Sequence, residues 1–148
     1  MRLIPRSLSG WTMAVFGVLA AAMGALGLIA PDALVSLMGF APVAGLRRAE
    51  EDHALAFLTA SSMAALNMGV YYVLASLADW KAFFRRTVPF RLLTCAVFTF
   101  AVLGGRAPSG FFGVGLREGL GAVTTGAALR HERRRVIPAA AGATERTG

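Results

Sequence analysis

The chain has 148 residues, 56% of them hydrophobic and 16% charged, where a soluble domain of this size carries about 25% charged residues. Its single cysteine, Cys95, excludes an internal disulfide and a thiolate metal cluster, and two histidines, His53 and His131, are too few for a zinc site. The formal net charge of +7 suggests nucleic acid, but the basic residues flank long neutral runs in the manner of membrane spans, so no nucleic-acid partner is expected.

The first neutral run, residues 7–31, follows a short basic segment, residues 1–10, that carries Arg2 and Arg6. About 20 residues cross the ~30 Å hydrocarbon core, so the run predicts a first span over about residues 11–30. It exceeds the roughly 7–15 apolar residues of a signal peptide and reads as a retained helix. Gly17, Ala20, Ala21, Gly24 and Gly27 fall near one helical face, a small-residue seam that lets helix backbones approach closely in lipid. Pro31 ends the span, and Asp32 is placed to cap a short interfacial helix, residues 33–38, that Gly39 stops.

A charged run with Glu51, Asp52 and His53 precedes the second span, residues 54–78, where acidic side chains complement the helix dipole. At about 100° per residue, His53, Phe57, Ala60, Ala64, Asn67 and Tyr71 share a face. Asn67, near mid-membrane, is expected to point inward for a partner, either as interhelical glue or as a ligand contact. Residues 79–89 read as a basic loop in which Lys81, Arg85 and Arg86, with Trp80, anchor to anionic headgroups. Pro89 then suits the first turn of a third span, residues 88–105, and Arg91 is placed to snorkel back to the interface.

Gly104 and Gly105 end the third span, and a short turn makes the fourth, residues 111–129, its antiparallel neighbour. Gly115, Gly119, Ala122 and Gly126 form a second small-residue seam. Within this span lie Arg117 and Glu118. A charge at the bilayer centre costs about 2.5–3.5 kcal/mol on the lenient insertion scale, so both are expected to face the bundle interior and pair. Neighbours on a helix point about 100° apart, so each is expected to find its partner on another helix. His53 and one of Glu51 and Asp52 enter from the same side, which predicts a polar cluster with Arg117 and Glu118 in the outer half of the bundle. The cluster reads either as a buried network fixing helix register or as a site for a small amphipathic ligand. Arg130, Arg133, Arg134 and Arg135 face anionic lipid, and residues 131–148 read as a basic, disordered tail.

With the N-terminus inside, eleven basic residues gather on the cytoplasmic side against Arg47, Arg48 and Arg106 outside. The expectation is an all-α, integral four-helix bundle, multi-pass in the inner membrane, with both termini cytoplasmic.

Gly27-Leu28-Ile29-Ala30-Pro31 closes the first span, a short hydrophobic segment ends in Gly39, Gly104-Gly105-Arg106 follows the third span, and the fourth holds the acidic Glu118. In these features the chain resembles the DoxX-like superfamily of small four-helix bacterial membrane proteins, over about residues 15–130. The resemblance implies the four-helix architecture and, for some relatives, association with quinone-linked oxidoreductase complexes; it carries over no catalytic residue. No nucleophile–base pair, phosphate loop or metal set points to a reaction, and no cofactor is implied. The expected role is that of an accessory or small-ligand-binding membrane protein, with homo-oligomerisation through the glycine seams, or a membrane-complex partner, open to it. The alternative is a subunit handling quinone near Arg117 and Glu118; transport has less behind it, since no polar path reaches the inner face.

Overall fold

The computed structural model describes residues 4–40 and 53–144, with side chains to Arg135. Among these residues every regular element is helical. Ser7 starts the fold: its side-chain oxygen accepts the Gly10 N–H at 3.0 Å and caps α1 (Leu8–Ile29). After Ala30 comes α2 (Pro31–Leu37). Asp32 is not its cap; Ala30 holds that position without a side-chain bond, and Pro31 opens the first turn, where a missing N–H costs nothing. Gly39, at φ 84°, closes α2 as expected, with the Gly39 and Phe40 N–H groups returning to Ser36 and Val35 carbonyls at 3.0 and 2.9 Å.

The same closure ends α3 (Ala54–Leu77), but with Asp79 at the left-handed position, φ 50°. Asp79 and Trp80 donate to the carbonyls of Ser76 and Ala75 at 3.1 and 3.0 Å. Directly after this turn α4 (Lys81–Leu103) begins. The loop expected over residues 79–89 is therefore mostly helix, and Pro89 lies inside α4 rather than in its first turn. The consequence falls on Arg91, which now sits roughly 15 Å along the helix at 1.5 Å per residue. Gly105, at φ 68°, turns the chain toward α5 (Gly110–Thr144). That helix continues through the basic cluster to Thr144, where the composition predicts disorder; the alanines of this stretch have the highest helix propensity of any residue.

α1 is the hub, packed along α3 and touching α5, α4 and α2, while α5 lies along α4. The α1–α3 seam is close because glycine forms it from both sides. A Cβ on Gly24 would strike the Leu66 and Ser62 backbone, and one on Gly69 would strike Ala21 and Gly17. On α5, Gly115 and Gly119 meet Cys95 and Phe98 of α4 in the same way. Both small-residue seams thus meet other helices of the same chain.

Among the described residues three helices, α1, α3 and α4, are long and apolar enough to cross a membrane. The surface is built for that setting: Ile29, Phe57, Phe90, Phe100 and Leu103 are exposed, while Ser9, Ser76, Thr125 and Arg91 are buried. A soluble monomer seldom carries so much outward apolar surface, whereas lipid demands that polar groups be satisfied inside.

Candidate functional site

Arg91 leaves α4 near its midpoint and is 3% exposed. Its Nε donates to Glu118 Oε2 at 2.8 Å. Its guanidinium lies 4.3 Å from the Phe16 ring centroid on α1 and 5.6 Å from that of Tyr72 on α3, within cation–π range. On α5, Gly121 leaves the space the guanidinium occupies, since a Cβ there would fall on it. One side chain from α4 therefore meets all three other long helices. The snorkelling expected of Arg91 does not occur, because α4 begins at Lys81 and carries this residue too deep to reach an interface.

The second Glu118 oxygen, Oε1, accepts from Arg117 Nη2 at 2.6 Å. The two neighbours do pair, contrary to expectation: the long arginine side chain folds back along the helix and closes the angular gap. Glu118, 13% exposed, thus bridges two guanidinium groups. With two arginines and one carboxylate, this triad carries one net positive charge. Arg91 Nη1 and Arg117 Nε are buried and have no hydrogen-bond partner.

The other expected site residues lie elsewhere. His53 sits exposed at the N-cap of α3, and no hydrogen bond or ion pair joins it to the triad. Asn67 is on the exposed side of α3 with Phe57 and Tyr71, not inward as expected. The reason is the closeness of the α1–α3 seam, which selects the side bearing Ser62, Gly69 and Ser76. Glu51 and Asp52 lie outside the described residues.

Arg117 also borders a cavity of about 570 Å³ between α1, α2, α3 and α5, within the ~300–1,000 Å³ range of small-molecule sites. By register, Arg117 on α5 and Ser61 and Ser62 on α3 each lie two turns in from their helix starts and so share a level. Leu37, Met38, Phe40 and Phe111 border it nearer the helix ends. The polar lining residues therefore share one level, with apolar residues toward the helix ends. The Ser61 hydroxyl donates to the Leu58 carbonyl at 2.9 Å, whereas Ser62 Oγ, packed against Gly27, has no partner.

No family model matches the chain, and neither a curated protein nor a solved structure matches it. The chemistry must be read from the residues. Among the described residues no three His, Cys, Asp or Glu side chains gather in a metal-binding group. The triad offers positive charge and N–H donors, with no nucleophile beside a base.

A second polar cluster, missed by the sequence reading, ties the opposite ends of the helices. Lys81 Nζ contacts Glu132 at 2.6 Å, Asp79 at 3.1 Å and the Ser9 hydroxyl at 2.8 Å. The Ser9 N–H and hydroxyl donate to Glu132 at 2.8 and 3.0 Å, and the Ser7 hydroxyl donates to Asp79. One turn further in, Thr12 and Thr125 share a hydrogen bond of 3.0 Å. Lys81 thus fastens α1, α4 and α5 together, while Arg85, Arg86, Arg130, Arg133, Arg134 and Arg135 point outward. Burial pushes the Glu132 carboxyl up, but the hydrogen bonds from Lys81 and Ser9 together outweigh it and hold it below the usual carboxylate range.

Proposed function

We propose that this is a four-span inner-membrane protein, both termini cytoplasmic, that holds a small amphipathic ligand in the cavity between α1, α2, α3 and α5 as a binding or accessory protein. The observation that carries the reading is the cavity itself: a largely apolar space bordered by one charged side chain, Arg117. A concave apolar site with a few convergent polar groups is the usual form of a small-ligand pocket. Orientation rests on the loop charges: with Arg91 withdrawn into the bundle, ten basic residues stand against three. α5 is the fourth span, its Arg117 and Glu118 paired within the triad. The DoxX-like resemblance enters only as support for four helices.

Native mass spectrometry of the protein extracted in mild detergent tests the reading. The wild type should retain a defined small molecule that Leu58→Trp, which fills the cavity, releases while the helical content stays unchanged. A co-purifying quinone would instead bring forward the redox-subunit alternative. Ordinary phospholipid held equally by both proteins would sink the ligand-binding role.

A further inference from the structure

The triad and the cavity lining constrain the ligand's chemistry. Resting on the ligand-binding reading above, we infer that the cavity takes an amphiphile with a single oxyanion headgroup and one alkyl chain, the headgroup meeting Arg117 and the chain leaving past α2. The charge count points there first. Arg91 and Arg117 share one carboxylate, so the site holds one uncompensated positive charge where low dielectric makes that charge expensive. A monoanion completes it; a neutral or cationic headgroup does not. Donor geometry points the same way. Glu118 engages Arg117 through Nη2 alone, and Arg117, 30% exposed, borders the cavity. A guanidinium matches carboxylate and phosphate oxygens in both charge and geometry. The apolar lining toward the helix ends, Leu37, Met38 and Phe111, then orders the ligand head-first at Arg117.

Equilibrium binding to the purified full chain in non-ionic detergent tests this with four probes: palmitate, hexadecyl phosphate, hexadecanol and acetate. Palmitate or hexadecyl phosphate should bind saturably and at least tenfold more tightly than hexadecanol, and whichever binds better identifies the oxyanion as carboxylate or phosphate. Acetate should not compete, because it lacks the chain. Arg117→Gln should erase the preference over hexadecanol, and Arg117→Lys should keep most of it. If hexadecanol binds as well as palmitate, or Arg117→Gln leaves the preference intact in a folded protein, the oxyanion assignment is wrong while the cavity reading stands. If no probe binds saturably and Leu58→Trp changes nothing, both fall.

Discussion

A carboxylate wedged between two arginines inside a helical bundle makes each of the three side chains dependent on the others. Removing Arg91 leaves Glu118 with one partner and opens a void beside Gly121. Arg91→Leu should cost about 3–5 kcal/mol, the range for breaking a buried pair from one side, read as an earlier midpoint in SDS titration of the detergent-solubilised protein. The double change Arg91→Leu with Glu118→Leu should cost less than the two single changes added together, since both single changes break the same Arg91–Glu118 pair, and what the double change still costs is the loss of the carboxylate from Arg117. Glycines on the same helix provide a contrast. Gly121→Ala places a methyl group where the guanidinium lies and should cost about 1–3 kcal/mol, whereas Gly113→Ala meets open space and should cost nothing. Arg117 and Glu118 were legible in the sequence because charges inside a neutral run are too expensive to be accidental. Their partner Arg91 was not, because the basic Arg85 and Arg86 placed the start of its span too late and left it seemingly one turn from water.

Helix ends decide more here than helix interiors. Gly39 and Gly105 were readable as stop signals because glycine enters the left-handed region freely, and both do. Asp79 occupies the same position at the end of α3, which the sequence did not reveal, since an aspartate before tryptophan reads as ordinary loop. Asp79→Asn should retain the tolerance for positive φ and lose the bond to Lys81, while Asp79→Ala should lose both and melt lower, by about 1 kcal/mol more. The adjoining fastener gives a pH dependence. The Glu132 carboxyl is held below its ordinary range when folded, so its stabilisation is complete above the unfolded carboxyl range and is lost as pH falls through the folded value. Thermal melts of the wild type and Glu132→Gln should therefore differ at neutral pH and converge in acid. A gap between the two that persists unchanged at low pH would rule this out. The face of α3 was misread for a reason at this same scale: periodicity groups residues correctly but does not say which group turns inward. Glycine and serine gave the closer approach to α1, so Asn67 was left outside.

The molecule as a whole poses a question that no single helix answers, namely whether α5 crosses the membrane. Taken alone it does not qualify, for α1, α3 and α4 are the helices apolar enough to cross by composition. But a segment is inserted with its neighbours, and they meet most of what is costly in α5. Glu118 takes Arg91 of α4 as well as Arg117 of its own helix, Thr125 bonds Thr12 of α1, and the glycines of α5 close upon α4. Apart from Arg117, what α5 offers to lipid is apolar: Phe112, Leu116, Leu120 and Val123 are the large residues on its exposed side. With α5 across the membrane, both ends would fall where the charge asymmetry wants them, Arg106 outside and the Arg133–Arg135 cluster inside. Alkaline phosphatase, which folds only in an oxidising compartment, reads this directly. Fused after Arg106 it should be active, and fused after Arg135 it should be silent. Activity at both positions would leave α5 outside the membrane, make three spans the true number, and expose the triad to water, where its net charge would no longer select an anion.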